Sequence, residues 1–350
     1  MGHGYQAVRW YPFKRRYDAW IGASVAVYLG AFVLGAYALA PLGQPPHPFQ
    51  AAIRATGSCA FAMLSLVLCL GPLARLDRRF LPMLYNRRHL GVATFLLALA
   101  HGALVLIWYH AFGADHPLVS LLISNPDYGD LRGFPFEALG AAALVWLFVM
   151  AATSHDFWNA NLGPGLWKSL HMGVYAAYAL LVGHVALGAL QLQSDPLFTG
   201  ALIASVAAVT GLHLAAGLKG LSERPKHAAP EGWIDAGPAA DIPEGRARIV
   251  AAPGGERIAV FRYAGKVAAV SNVCRHQGGP LGEGRVIDGC ITCPWHGFQY
   301  RPEDGCSPPP YTEKIATFRV RLDGRGHVLV DPAPLAPGTP TPPAQLGEAL

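Results

Sequence analysis

Charge is scarce in this chain. Only 14% of its 350 residues are charged, against about 25% in an ordinary soluble domain. The shortage is uneven. Residues 1–220 carry 13 Lys/Arg and 8 Asp/Glu, whereas residues 221–350 carry 14 of each. A single soluble domain is therefore excluded, and the break in composition predicts two domains of different type. Cysteine is also scarce. Six residues, two in an apolar run and four near the C-terminal end, are too few and too unevenly placed for a disulfide scaffold. A Gly-rich dinucleotide fingerprint is missing, so no nicotinamide- or flavin-binding half is expected. No cleavable leader is visible either: Arg9, Lys14, Arg15 and Arg16 run straight into an apolar segment long enough to span. The excess positive charge lies between apolar stretches, where membrane topology uses it, so no nucleic-acid partner is needed to explain it.

What is present is hydrophobic. Such residues make up 52% of the chain. Six segments, near 19–40, 55–72, 90–112, 136–154, 168–190 and 197–218, approach or reach the roughly 20 residues needed to cross a bilayer. Proline, glycine or charge interrupts them at Pro41–Pro46, Arg75–His89, Gly113–Pro135, Asn159–Pro164 and Asp195–Pro196. With a cytoplasmic N-terminus, the inner segments would carry thirteen basic residues, from Arg9 to Lys226, and the outer ones only Arg54 and Arg132. That asymmetry predicts a multi-pass inner-membrane protein in contact with lipid, whose C-terminal part returns to the cytoplasm.

Residues 221–241 read as a Pro/Ala/Gly-rich linker. Short β runs follow at Arg248–Ala252, Arg257–Tyr263, Lys266–Ser271, Val286–Thr292, Ala316–Leu322 and His327–Val330. The expected fold is multi-domain: an all-α six-helix transmembrane bundle over 1–220, then a small all-β domain over 242–331. The Pro-rich residues 332–350 are expected to be disordered. No internal repeat is visible.

The β region contains Cys274-Arg-His276 and, after sixteen intervening residues, Cys293-Pro-Trp-His296. Two Cys-His doublets suit an asymmetric cluster in which one iron takes two thiolates and the other two neutral imidazoles. Glycines after each doublet let two loops close tightly. A zinc site with the same four ligands is the competing reading, although only Cys290-x-x-Cys293 looks like a zinc knuckle. The doublets, the Gly278-Gly279-Pro280 turn and His296-Gly297 resemble the Rieske pattern, from about Ile242 to Asp331. That resemblance implies a [2Fe–2S] cluster with Cys274 and Cys293 on one iron and His276 and His296 on the other. Quinol-oxidising Rieske proteins hold an extra disulfide at positions that here are Gln277–Pro280 and Trp295, so the domain looks ferredoxin-like. Cys290 and Cys306 are expected to be ordinary buried thiols. High-potential relatives place a serine where this chain has Phe298 and a tyrosine where it has Tyr300, which implies a potential below theirs.

Ionisable residues inside spanning segments are costly and read as functional. His101 lies midway along the third segment; His171 and His184 lie on the fifth, thirteen residues or roughly 20 Å apart along a helix. Neutral imidazole is a good axial ligand for haem, although a membrane histidine can also simply bond a neighbouring carbonyl. Arg87-Arg88-His89-Leu90-Gly91-Val92 with His101, and Leu166-Trp167-Lys168-Ser169-Leu170-His171 with His184, resemble the ferric reductase-like transmembrane domain. The nearest likeness is to its bacterial haem-binding branch, which serves methionine sulfoxide reductase systems. That resemblance covers roughly 50–220 and implies b-type haem held from the third and fifth helices. By depth, His101 and His184 match best. His171 lies near the inner face, with His89 or His213 as a partner if a second haem is present. His110, Asp115 and His116 fall in an outer loop and read as solvated.

These features predict a membrane electron-transfer protein, an oxidoreductase component passing single electrons between a cytoplasmic cluster and one or two b-type haems. A separate NAD(P)H-linked reductase is the expected donor. The resemblance to ferric reductases implies an acceptor towards the outer face: a periplasmic oxidoreductase, ferric iron or quinone. A redox or iron sensor, or a membrane-anchored ferredoxin feeding an oxygenase, are the other readings.

Overall fold

The computed structural model describes residues 12–347 except 42, 81–82, 84–86, 132, 155, 193–195, 223–231, 254–255, 277, 296 and 310. Two compact units result, one from residues 1–72 and 86–213, the other from 73–85 and 214–350.

The first unit is helical. Its elements are α1 (Pro12–Ala38), α2 (Pro48–Leu76), α3 (Arg87–Val105) running into a π-helical turn at Leu106–His110, and the short α4 (Pro117–Ile123). There follow α5 (Phe136–Ala152), α6 (Asp156–Met172), α7 (Val174–Leu187), a single turn α8 (Ala189–Leu192) and α9 (Pro196–Ser222). Among the described residues, five stretches are long and apolar enough to cross a bilayer: Arg15–Ala38, Pro48–Leu76, Arg87–His110, Leu166–Gln191 and Pro196–Lys219. The expected sixth, α5, is apolar but only 17 residues long. Backbone polar groups are satisfied within each helix, which is what lets such segments sit in hydrocarbon. Exposed Trp20, Leu34, Leu99, Val145 and Phe148 fit a surface that meets lipid rather than water. Small residues do the opposite work. Ala51, Ala55, Cys59 and Ala60 bury one face of α2, where close helix approach needs short side chains.

The break expected at Asn159–Pro164 falls inside α6; the helical hydrogen bonding is interrupted instead at Gly173 and Gly188, within the apolar stretch Leu166–Gln191. His110 overturns another expectation. It is only 3% exposed, because the π turn and α4 fold over it. Its Nδ1 lies 2.9 Å from Ser120 Oγ and its Nε2 3.6 Å from Glu137 Oε1. Asp115 and His116 are exposed, as expected.

The second unit holds the β domain. β2 (Arg246–Ala251), β3 (Arg257–Tyr263) and β4 (Lys266–Ser271) form an antiparallel meander. Because side chains alternate along a strand, this sheet has two apolar faces. Ile258, Val260, Val267 and Ala269 join Ile234, Ile242, Phe318, Val328 and Val330 in one core. Ala259, Phe261, Ala268 and Val270 join Leu281, Ile291, Tyr300, Cys274 and Cys293 in the other. The first core lies towards a sheet of β1 (Ile234–Pro238), β10 (His327–Val330) and β9 (Val320–Leu322). A third sheet comprises β5 (Arg285–Ile287), β6 (Cys290–Thr292) and β7 (Gln299–Tyr300).

Three expectations are corrected here. Val286–Thr292 is not one strand but the β5–β6 hairpin, turned at Asp288 and Gly289, both with positive φ (50° and 77°). Such a pair is the tight mirror-image turn that strand twist favours. β1 begins at Ile234, inside the supposed 221–241 linker; of that linker, residues 223–231 lie outside the described residues. The segment 332–350 is ordered as far as 347. β8 (Thr317–Phe318) and β11 (Ala344–Gln345) both pair with β4, Leu335 N donates to Thr317 O, and the Thr317 and Thr341 hydroxyls meet at 2.7 Å. Proline lacks an N–H but is well suited to extended edge segments, so a Pro-rich composition did not require disorder.

Candidate cofactor sites

In the β domain, two loops carry the doublets, and they are built alike. Gly278 N donates to Cys274 O at 2.7 Å and Cys274 N to Gly279 O at 2.9 Å; Gly297 N donates to Cys293 O at 3.0 Å and Cys293 N to Phe298 O at 2.8 Å. Gly278 and Gly297 take φ of 71° and 69°, which a side chain would strain. Each loop thereby turns its cysteine inwards, and Cys274 and Cys293 are 1% and 2% exposed. The loops also meet: a Cβ on Gly279 would stand 2.7 Å from Cys293 Sγ. His276 stacks on Phe298 with centroids 5.0 Å apart and planes 7° apart. His296 and Gln277 lie outside the described residues. Among those described, no three His, Cys, Asp or Glu side chains converge on one ion. None of the six cysteines is in a disulfide, and Cys290 and Cys306 are half-buried rather than buried.

Tyr300 lies directly behind the first cysteine. Its hydroxyl is 3.4 Å from Cys274 Sγ and accepts from Arg275 N at 3.0 Å. Burial first, and then the Cys274 thiolate, push its pKa up, so it stays a donor at any working pH. Hydrogen bonds to cluster sulfurs stabilise the reduced, more negative state. Tyr300→Phe is expected to lower the cluster midpoint by on the order of 50 mV, the equivalent of losing about 1 kcal/mol of differential hydrogen bonding. Phe298→Ser, which offers a hydroxyl beside His276, is expected to raise it. A protein-film or EPR-monitored titration reads both.

In the helical unit, α3 and α7 both pack on α5. His101 on α3 and His184 on α7 face one another, centroids 6.4 Å apart and planes at 81°. His101 Nδ1 lies 2.9 Å from Ile53 O and His184 Nδ1 2.8 Å from Phe136 O. A carbonyl only accepts, so both Nδ1 atoms must carry the proton. Nε2 of each ring is then the unprotonated nitrogen, the form a metal binds. An imidazole held through Nε2 at about 2 Å from a metal has its centroid about 3 Å away, so two rings on one ion would be about 6 Å apart. The observed separation of 6.4 Å matches that spacing.

His171 stacks on a tryptophan and, among the described residues, faces no second histidine. Its Nδ1 lies 3.0 Å from Trp167 O, its ring stacks on Trp167 at 3.9 Å, and its buried Nε2 has no hydrogen-bond partner. Of the two candidate companions, one is engaged through Nδ1 and the other through both nitrogens. His89 pairs with Asp18 at 2.7 Å. His213 uses both nitrogens, Nδ1 on Val209 O at 2.7 Å and Nε2 on the Tyr175 hydroxyl at 2.9 Å.

Residues 232–319 match the Rieske [2Fe-2S] domain family, and residues 56–182 match the ferric reductase like transmembrane component family. The chain is 31% identical over 105 residues to the ferredoxin component of the naphthalene 1,2-dioxygenase system of Pseudomonas aeruginosa, covering 29% of this chain and 96% of that protein. It is 30% identical over 138 residues to the protein-methionine-sulfoxide reductase heme-binding subunit MsrQ of Azospira oryzae, covering 39% of this chain and 54% of that one. It is 41% identical over 92 residues to cholesterol 7-desaturase nvd of Xenopus laevis, covering 25% of this chain and 20% of that one. The chain thus spans only a fifth of the desaturase and about half of the heme-binding subunit. The likeness to the desaturase lies within a fraction of that protein, whereas the ferredoxin component is matched almost end to end.

Proposed function

That the chain belongs to the Rieske [2Fe–2S] family over its C-terminal domain, and matches the ferric reductase like transmembrane component ahead of it, is the premise from which we propose a membrane relay that passes single electrons between a Rieske cluster and one b-type haem. The two groups would supply one-electron chemistry at separate stations. Everything else falls to the chain's own residues. Cys274, His276, Cys293 and His296 hold the cluster. His101 and His184 hold the haem. The observation that carries the reading is that facing pair, both Nδ1 protons committed to backbone carbonyls and the rings spaced as two axial ligands require.

Six crossings, with the 17-residue α5 spanning beside its longer neighbours, set the N-terminus and the Rieske domain on the cytoplasmic side of an inner membrane, in keeping with the basic residues of the inner segments. We take residues 1–222 as the membrane domain and 232–347 as the cluster domain. A separate NAD(P)H-linked reductase serves as donor, and a periplasmic oxidoreductase, ferric iron or quinone as acceptor. With a single haem, His171 is assigned no ligand role.

The detergent-purified chain is expected to contain one haem per chain with a low-spin ferric spectrum, together with the EPR signal of a reduced Rieske centre. Protein that carries the cluster but no haem would instead be a membrane-anchored ferredoxin feeding an oxygenase, or a sensor. Two haems per chain would overturn the assignment of His171.

A further inference from the structure

We propose that Gly57 and Gly140 are positioning residues for the haem ligands, each forming with the carbonyl four residues before it a notch that locks one imidazole. The inference rests on the assignment of His101 and His184 as axial ligands and adds what fixes their orientation.

The two sites repeat one geometry on separate helices. In α2, Ile53 O accepts from His101 Nδ1 and Gly57 stands four residues on; in α5, Phe136 O accepts from His184 Nδ1 and Gly140 stands four residues on. In an α-helix the carbonyl of residue i already accepts from the N–H of residue i+4. A side chain that shares this carbonyl must approach over residue i+4, making a three-centre bond of the kind seen at helix ends. A Cβ at that position blocks the approach. On Gly57 it would stand 2.8 Å from His101 Cε1 and 2.9 Å from Nδ1; on Gly140, 2.7 Å from His184 Nδ1 and 2.8 Å from Cε1. All four distances are too short for a real Cβ, and neither ring can back away without losing its carbonyl.

Glycines in membrane helices usually serve helix–helix packing, and this chain has such glycines as well. Those beside the ligands, Gly102 and Gly183, would direct a Cβ at Leu144 and Leu139, at 3.1 and 3.2 Å. Gly57 and Gly140 differ: what they make room for is an imidazole. The notch has two consequences. It keeps the proton on Nδ1 and the lone pair on Nε2, making each ring a stronger donor to a metal. It also holds the two planes at 81°. A ferric low-spin haem with nearly perpendicular imidazoles gives a highly anisotropic EPR signal, whereas parallel rings give an ordinary rhombic one.

The full-length protein tests this, with haem EPR, haem midpoint and haem content as readouts and the Rieske EPR signal as the internal reference. The wild type is expected to show the highly anisotropic signal. Gly57→Ala and Gly140→Ala are each expected to convert it to a rhombic or high-spin signal, with a shifted midpoint or lost haem. Gly91→Ala, where a Cβ meets nothing within 4 Å, and Gly102→Ala are expected to keep it. Unchanged signal and midpoint in both notch variants would overturn the proposal. Should the notch variants fail to accumulate, Gly57→Ala in a His101→Ala background decides. Recovery there means that the clash was with the ring; continued failure means that the glycine serves packing, and the proposal falls. A wild-type protein without haem sinks the ligand assignment itself, whatever the variants do.

Discussion

Replacing His184 with alanine is expected to abolish the low-spin haem spectrum while leaving the Rieske EPR signal intact. Even losing the hydrogen-bond partner of a metal ligand costs roughly 10–100-fold in affinity, and the ligand itself is worth more. The damage should stay local. Phe136 O, which the ring shares, keeps the N–H of Gly140 as its intrahelical partner, so no buried carbonyl is orphaned. What is left is an imidazole-sized hole against a residue with no side chain. Free imidazole is therefore expected to enter the hole and restore a low-spin spectrum at millimolar concentration. His101→Ala should behave in the same way against Gly57. His213→Ala, whose ring already spends both nitrogens on Val209 O and the Tyr175 hydroxyl, should leave the haem unchanged. Haem retained at wild-type level and spectrum in His184→Ala would rule out the paired-ligand arrangement.

The proposed ligands could be picked out from the sequence because they follow from local spacing. Two Cys-His doublets and histidines at matched depth on two apolar segments need no tertiary information. What the sequence did not disclose depends on which elements meet. Gly57 and Gly140 lie 44 residues from the rings they admit, and nothing local to either distinguishes them from Gly102 or Gly183. His110 looked like a loop residue because α3 was expected to end near it, yet the π turn and α4 bury it beside Glu137. In the β domain, Asp288-Gly289 was a hairpin signal within an apolar run that read as one strand. The C-terminal prolines hid β11, a two-residue strand that exists only because β4 offers it an edge. Short edge strands carry too little pattern to be seen without their partners.

Removing the cluster should separate binding of haem from its reduction. Cys293 is buried among Phe261, Leu281, Ile291 and Tyr300, and its N–H bonds Phe298 O in the turn that aims the loop. Cys293→Ser keeps that turn and the volume but exchanges a soft thiolate for a hydroxyl, which is a poor ligand for iron–sulfur chemistry. The expected protein carries haem at wild-type content, reducible by dithionite, but lacks the Rieske EPR signal. An NAD(P)H-linked reductase system that reduces the wild-type haem should then leave the variant's haem oxidised, apart from the slow background seen without the chain's cluster. His296→Ala should give the same result through the other iron, and the agreement of the two matters. A fault in folding of the β domain would track which loop is altered, whereas a broken relay is indifferent to which iron loses its ligand. Haem that is reduced at the wild-type rate in both variants would place the cluster outside the electron path, and the domain would then be read as a sensor attached to a haem protein rather than as its electrical contact.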